Sequence, residues 1–171
     1  MLRRFTDHRA AGYPQMLPRG KVLLVDDELG DLAYHFRLLE SCGQKVLSCA
    51  AYAQGAGLVE CVTFDLVMVG QGSPAFEGRV VLERAASTDR SMPVLVLASS
   101  VDMGCYLEAM RLGAADYLEK PLSPTEMRRV IETCLRAPHA IIAIHVCGRD
   151  QKLGPLPEPS PTHTEALGDN G

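Results

Sequence analysis

The sequence of 171 residues lacks several features that would indicate a membrane, secreted or nucleic-acid-binding protein. No apolar stretch approaches the ~20 residues that a bilayer-spanning helix needs, and residues 1–20 lack the apolar centre of a secretory signal. Lysine and arginine never occur in runs longer than two, and the formal net charge is −4. A protein that mainly binds nucleic acid would carry a basic patch. We therefore expect a cytoplasmic protein that contacts neither membranes nor nucleic acids.

Recognisable cofactor and metal motifs are also absent. The six cysteines form no C-x-x-C pair and show no metal-ligand spacing. In a reducing compartment such cysteines act as small buried hydrophobic residues, with a redox-sensing role for one of them as the alternative. Neither of the glycine-rich phosphate-binding patterns G-x-G-x-x-G and G-x-x-x-x-G-K-[ST] is present. We expect a protein that is not an enzyme.

Residues 21–136 alternate between short apolar runs and helical stretches. The runs lie at 22–25, 45–49, 65–69, 93–97 and 115–118, and the helical stretches at 29–42, 52–61, 79–86, 102–112 and 123–136. The second helix is predicted to be weak, because Gly55 and Gly57 each cost about 1 kcal/mol relative to alanine. Strict alternation predicts a parallel sheet with helices on both faces, which is an α/β, three-layer (βα)5 flavodoxin-like fold.

The two ends of the chain differ from this central domain. Residues 1–20 have no usable periodicity and contain two prolines, which indicates a loose leader. Residues 137–171 begin with an apolar run at 140–146 and end in a polar, proline-rich segment that we expect to be disordered. The β-branched content of the apolar run favours an extra strand or a packing segment over a partner-binding helix.

Ligands of parallel sheets bind at the carboxyl ends of the strands, so the residues that follow each strand matter most. The informative segments are VDDE at 25–28, DLVMV at 65–69, Pro74 with Gly78, PVLVL at 93–97 and GAADYLEKP at 113–121. In this order they resemble the receiver domain of two-component response regulators. The resemblance covers about two thirds of the chain, and it implies the strand order 2-1-3-4-5.

The resemblance implies a metal site at the end of the first strand. In the family an acidic pair holds Mg²⁺, a cation that prefers carboxylate and carbonyl oxygens. Asp26 and Asp27 match that pair, with Asp27 as the expected direct ligand and the Gly72 carbonyl as a further oxygen. The alternative is that the two aspartates cap the first helix, and both roles are compatible. We expect no required cofactor and at most weak Mg²⁺ binding.

The residue at the end of the third strand departs from the family pattern. The nucleophilic aspartate of the family stands five residues after the first Asp of this strand and four before a proline. Counted from Asp65 and from Pro74, both spacings fall on Gly70. Glycine has no carboxylate and cannot form an acyl phosphate. The resemblance therefore implies a degenerate receiver without its phosphoacceptor.

Three further positions are implied by the resemblance. The switch hydroxyl of the family falls on Ala98, which has none, although Ser99 or Ser100 could supply one if the strand end is shifted. Lys120 matches the lysine that contacts the phosphoryl group, and its alternative role is a salt bridge to Asp26 or Asp27. Tyr117 matches the aromatic residue that moves between buried and exposed rotamers, or is simply a half-buried strand residue.

These features predict a stand-alone receiver-like protein that acts by protein contact, independently of phosphorylation. Its expected partners are a histidine kinase, another response regulator or a second copy of the chain, bound through residues 102–136. One alternative is a response regulator with an unorthodox phosphoacceptor. The other is a small-ligand-binding module of flavodoxin type, which uses the room left at Gly70.

Overall fold

Residues 17–136 are described by a computed structural model, and they form five strands and five helices in strict alternation. The strands are β1 (Lys21–Val25), β2 (Lys45–Cys49), β3 (Leu66–Gly70), β4 (Val94–Ala98) and β5 (Asp116–Glu119). The helices are α1 (Leu29–Ser41), α2 (Tyr52–Cys61), α3 (Arg79–Thr88), α4 (Met103–Arg111) and α5 (Pro124–Arg136). The predicted N-terminal leader up to residue 16 and the predicted tail at 137–171 lie outside the described residues.

The five strands form one parallel sheet in the order β2-β1-β3-β4-β5. This confirms the predicted α/β flavodoxin-like fold and its strand order. Because all strands run in the same direction, the ends of β1, β3, β4 and β5 meet at one edge of the sheet. The candidate site residues come together at that edge.

Each face of the sheet is covered by a hydrophobic core. On one face, alternate strand residues pack against α2, α3 and α4, and Tyr117 belongs to this cluster. On the other face, the remaining strand residues pack against α1 and α5 through Leu39, Met127 and Ile131. The strands β3 and β4 are buried along their whole length, as expected for the centre of a sheet that helices cover on both sides.

The end of the predicted leader contacts the domain. Leu17 is buried in the core beside α1 and α5. The buried side chain of Gln44 accepts a hydrogen bond from the Gly20 amide at 2.8 Å and donates one to the Pro18 carbonyl at 2.9 Å. Leu17, Pro18 and Gly20 are therefore held against the domain, although the lack of periodicity predicted a loose segment up to residue 20.

Local sequence signals explain where the last two helices begin. The Asp102 side chain accepts a hydrogen bond from the Cys105 amide at 2.8 Å and caps α4. Ser123 and Glu126 form a capping box at the start of α5, with the Ser123 amide donating to Glu126 at 2.8 Å. The strands β3, β4 and β5 each begin and end one residue later than predicted.

The cysteines follow the prediction only in part. Cys49 and Cys105 are buried and Cys42 and Cys134 are partly buried, but Cys61 is exposed at the end of α2, where we had expected a buried residue. All five are free thiols, and the sixth cysteine of the sequence lies outside the described residues. Within residues 17–136, no helix has the length and apolar character that crossing a membrane requires.

Candidate functional site

The predicted site residues Asp26, Gly70, Ala98 and Lys120 lie at the carboxyl edge of the sheet. Backbone hydrogen bonds join them to neighbouring strands: the Lys120 amide donates to the Ala98 carbonyl at 2.7 Å, and the Asp26 amide donates to the Cys49 carbonyl at 3.3 Å. The position of each side chain is thus set by the sheet itself. Rigid placement of this kind is what a binding or signalling site requires.

A buried ion cluster occupies the centre of this edge. The Lys120 ammonium lies 2.9 Å from Asp26 Oδ2 and 2.7 Å from Oδ2 of Asp31, a residue in the first turn of α1. The Asp26 side chain is 1% exposed and that of Lys120 is 6% exposed. Burial acts to lower the pKa of Lys120, but its hydrogen bonds and charge interactions with Asp31 and Asp26 outweigh burial and raise it.

The lysine thus takes the alternative role that the sequence left open, a salt bridge to the acidic pair, and it pairs with Asp26 rather than Asp27. Asp31 is a second partner that sequence reasoning missed. Its only signal was its position in the first helical turn after the acidic pair. Asp27 is exposed, and its Oδ1 accepts a hydrogen bond from the Tyr52 hydroxyl at 2.6 Å. Burial, followed by this hydrogen bond, raises the pKa of Tyr52.

The space beside Gly70 is filled by the carboxylate of Asp26. A Cβ atom at Gly70 would lie 2.9 Å from Asp26 Cγ and 3.0 Å from each of its carboxylate oxygens. On the other side, a Cβ at Gly78 would overlap the Gly70 carbonyl oxygen, so the start of α3 packs directly on this backbone. The room on which a small-ligand site would depend is therefore already occupied.

The predicted switch positions have different environments. Ala98 is 1% exposed at the end of β4, and Ser99 and Ser100 are exposed in the turn that follows. Gly72 has a φ of 81°, and a side chain there would overlap the Glu77 carboxylate, so this position is restricted to glycine by the shape of the loop.

Tyr117 is buried rather than half-buried, with 7% of its surface exposed. Its hydroxyl donates a hydrogen bond to the side-chain oxygen of Gln71, the residue that follows Gly70. Its ring packs edge-on against Tyr106 of α4, with the centroids 5.8 Å apart. Sequence reasoning missed this contact, for which the sequence gives no local signal.

Both carboxylates of the predicted Mg²⁺ site have other partners in this arrangement. Among residues 17–136, no group of three or more His, Cys, Asp or Glu side chains is placed to hold a metal. Asp26 already faces the Lys120 ammonium, and Asp27 faces Tyr52. A weak Mg²⁺ site at this pair, with the Gly72 carbonyl, remains a prediction from the sequence.

A buried histidine joins α1 to the segment that follows Lys120. His35 is fully buried, and its Nε2 accepts a hydrogen bond from the Leu122 amide at 3.3 Å while its Nδ1 lies 2.9 Å from the Asp31 carbonyl. Nδ1 must carry the proton for both contacts to form, so the ring is neutral here. Burial lowers the pKa of His35, against the opposing effect of Asp31 and Asp26.

We expect this histidine to make stability fall in mild acid. Below the ordinary histidine pKa of 6.5, His35 binds a proton in the unfolded chain but stays neutral in the folded chain. This difference persists until the pH reaches the lowered pKa of the folded state. In that window the free energy of unfolding should fall by up to about 1.4 kcal/mol per pH unit. Urea unfolding at pH 7.5, 6.5 and 5.5 measures it. A His35→Gln variant should lose less over the same range, and an equal loss would contradict the assignment.

Comparisons with known proteins agree with the observed fold. The response regulator receiver domain family matches residues 22–132. The transcriptional regulatory protein FixJ of Bradyrhizobium diazoefficiens is 26% identical over 145 residues, which cover 82% of this chain and 71% of FixJ. The transcriptional regulatory protein ZraR of Escherichia coli is 28% identical over 122 residues, 71% of this chain. The matched part spans only 28% of the length of ZraR.

Solved receiver domains have the same fold. A CheY-like response regulator receiver domain protein from Methanospirillum hungatei superposes with a TM-score of 0.63 at 25% identity, covering 68% of this chain and 93% of that one. The receiver domain of the sensor histidine kinase PA1611 from Pseudomonas aeruginosa, with a magnesium ion in its active-site cleft, gives a TM-score of 0.63 at 22% identity. It covers 69% of this chain and 98% of that one, and the likeness concerns the fold alone.

Proposed function

Because this chain belongs to the response regulator receiver domain family, we propose that it signals by protein contact and without a phosphoryl group at the end of β3. The observation that carries the proposal is the pairing of Gly70 with the Asp26 carboxylate that fills the space beside it. Gly70 stands at the position proposed for the phosphoacceptor, and it offers no nucleophile. The chain would then be a degenerate receiver with no catalytic activity of its own.

The neighbouring oxygens are poor substitutes for a nucleophilic aspartate. The Asp26 carboxylate is buried, and its other oxygen accepts a hydrogen bond from the Glu28 amide at 3.1 Å. The Ser73 hydroxyl donates to Glu77 at 2.6 Å in the loop after β3. An acyl phosphate requires a carboxylate that is free to attack, and in this cluster the carboxylates are engaged.

The charges of the site also work against a phosphoryl group. Lys120 is the one cation in the buried cluster, and two carboxylates already contact it at 2.7 and 2.9 Å. An incoming phosphoryl dianion would come close to these two carboxylates before it could contact the Lys120 ammonium. In low-dielectric surroundings such like-charge contacts are strongly unfavourable. The positive charge of Lys120 is therefore already compensated without a phosphoryl group.

Receiver domains act through histidine kinases and other response regulators, and we propose such a partner here, or a second copy of this chain. The proposed contact surface is formed by α4, β5 and α5, at residues 102–136. Its first helix carries exposed apolar side chains: Met103 is 63% exposed and Leu107 is 60% exposed, and Val101, just before the helix, is 58% exposed. Apolar groups concentrated on one surface indicate a protein contact.

We expect the protein to gain no phosphoryl mass when it is incubated with acetyl phosphate and Mg²⁺ and analysed by intact mass spectrometry. A receiver domain that has the aspartate serves as the positive control. Hydroxylamine separates the possible adducts, because it cleaves an acyl phosphate and leaves a serine phosphate intact. A hydroxylamine-sensitive adduct would overturn the proposal, and a resistant one would indicate Ser73, Ser99 or Ser100 as an unorthodox acceptor.

A second experiment tests the proposed protein contact by measuring binding to a panel of histidine kinases and response regulators, with and without acetyl phosphate. We expect one affinity under both conditions for any partner found. A Met103→Glu/Leu107→Glu variant should lose that binding. The matched control is Val80→Glu, since Val80 is an exposed apolar residue on α3, 40% exposed and outside the proposed surface. Equal effects of both variants would speak against α4 as the contact.

A further inference from the structure

Gln71 is a buried polar residue whose hydrogen-bonding groups are all engaged. It is 6% exposed. Its backbone amide donates to the Leu97 carbonyl at 2.6 Å, and its carbonyl accepts from the Gly78 amide at 3.0 Å. Its side-chain nitrogen donates to the Ser73 carbonyl at 3.1 Å, and its side-chain oxygen accepts from Tyr117. One residue thus connects β4, the loop after β3, and β5.

The contact with Tyr117 extends this connection to α4. Tyr117 is in β5, and its ring packs at 88° against that of Tyr106, in the middle of α4. Gln71 supplies the acceptor that the Tyr117 hydroxyl needs in this buried position. A buried hydroxyl without a partner is unfavourable, so the inward position of Tyr117 depends on that acceptor.

We propose that Gln71 is a positioning residue that keeps Tyr117 inward and, through Tyr106, fixes the exposed face of α4 for its partner. This inference rests on the proposed function for the role of that face. It adds the residue that keeps this face in one conformation: the side-chain amide of Gln71 holds Tyr117 in place without any phosphoryl group. The face is then presented in one conformation at all times.

The test is the chemical accessibility of Tyr117 in the whole chain without any partner. Tetranitromethane nitrates accessible tyrosines, and peptide mass spectrometry gives the extent at each position. Tyr34, 41% exposed, is the accessible reference, and the half-buried Tyr52 reports any general loosening. In the wild type we expect Tyr117 to be protected. In Gln71→Met, which keeps the size but removes the acceptor, nitration of Tyr117 relative to Tyr52 should rise about tenfold, as expected for the loss of one buried hydrogen bond.

Ser73→Ala is the matched control. It removes the Ser73 hydroxyl contacts with Glu77 and with the Ala75 amide, but it keeps the carbonyl that Gln71 uses. This variant loosens the same loop without touching Tyr117, so nitration of Tyr117 should stay at the wild-type level. If Gln71→Met does not fold, Gln71→Asn keeps the amide but shortens its reach, and it should give the same rise.

Two results would overturn the inference. Unchanged protection in a folded Gln71 variant would mean that the packing of the ring, and not this hydrogen bond, holds Tyr117. An equal rise in Ser73→Ala would mean that loop order, and not the Gln71 side chain, sets the position of the ring. Neither result involves a partner, so they are separate from the binding measurements. Suppose that Tyr117 is protected in the wild type and nitrated in Gln71→Met, while partner binding is unaffected by the substitutions at Met103 and Leu107. The proposed contact surface would then be wrong, and the role of Gln71 in holding Tyr117 would stand.

Discussion

Replacing Lys120 with methionine is expected to lower the free energy of unfolding by about 3–5 kcal/mol, because it leaves a buried carboxylate without its cation. Asp26 is 1% exposed, and Lys120 contacts both it and Asp31. Methionine fills most of the same volume, so the effect reports the charge rather than a cavity. Urea unfolding at pH 7, followed by circular dichroism, gives the difference between Lys120→Met and the wild type.

Two further variants identify the cause. In Asp26→Asn/Lys120→Met the buried charge at Asp26 is removed as well, and we expect much of the lost stability to return. Arg79→Met is the surface control: Arg79 also contacts two carboxylates, Glu83 and Glu108, but it is 47% exposed. Exposed ion pairs contribute little, so this variant should unfold nearly like the wild type. If Lys120→Met were no more costly than Arg79→Met, the buried Asp26 carboxylate would not depend on Lys120 to compensate its charge.

The fold could be predicted from the sequence because its signals are local and repeated. Each buried strand is a short apolar run, and the helix starts at Asp102 and Ser123 are marked by residues that cap the backbone within one turn. The second helix shows what local reasoning leaves out. The sequence predicted a helix over 52–61, weakened by its glycines, and α2 spans Tyr52–Cys61. A Cβ at Gly55 would lie 2.7 Å from Val25 of β1, so glycine lets the helix pack closely on the sheet.

The candidate site was predictable only as far as the ends of strands determine it. Gly70, Ala98 and Lys120 lie at the same edge of the sheet because parallel strands end together. The partners Asp31, His35 and Gln71 come from a helix and a loop, and no spacing rule specifies which side chain of one element reaches another. The choice between Asp26 and Asp27 as the partner of Lys120 depended on the same tertiary packing. The sequence left both aspartates open, and in the structure the buried Asp26 contacts Lys120 while the exposed Asp27 contacts Tyr52.

Gly70→Asp tests whether glycine is what separates this site from one that can bind a metal ion. The new Cβ would lie 2.9 Å from Asp26 Cγ, so the Asp26 carboxylate must move, and a further negative charge joins the buried cluster. We expect the free energy of unfolding to fall by about 2–4 kcal/mol from overpacking and like-charge repulsion. Gly70→Ala adds the same Cβ without the charge, so the difference between the two variants isolates the electrostatic part.

Magnesium should then act differently on the variants. In Gly70→Asp three carboxylates, at positions 26, 27 and 70, would share one edge of the sheet, and oxygen-rich acidic sites are those that Mg²⁺ prefers. An ion that binds only the folded state stabilises it, so Mg²⁺ should restore part of the stability of Gly70→Asp and affect Gly70→Ala and the wild type much less. Urea unfolding with and without Mg²⁺ measures this. An equal response of the wild type would mean that Asp26 and Asp27 already bind the ion, despite the contact between Asp26 and Lys120. Glycine at position 70 would then not be what limits metal binding.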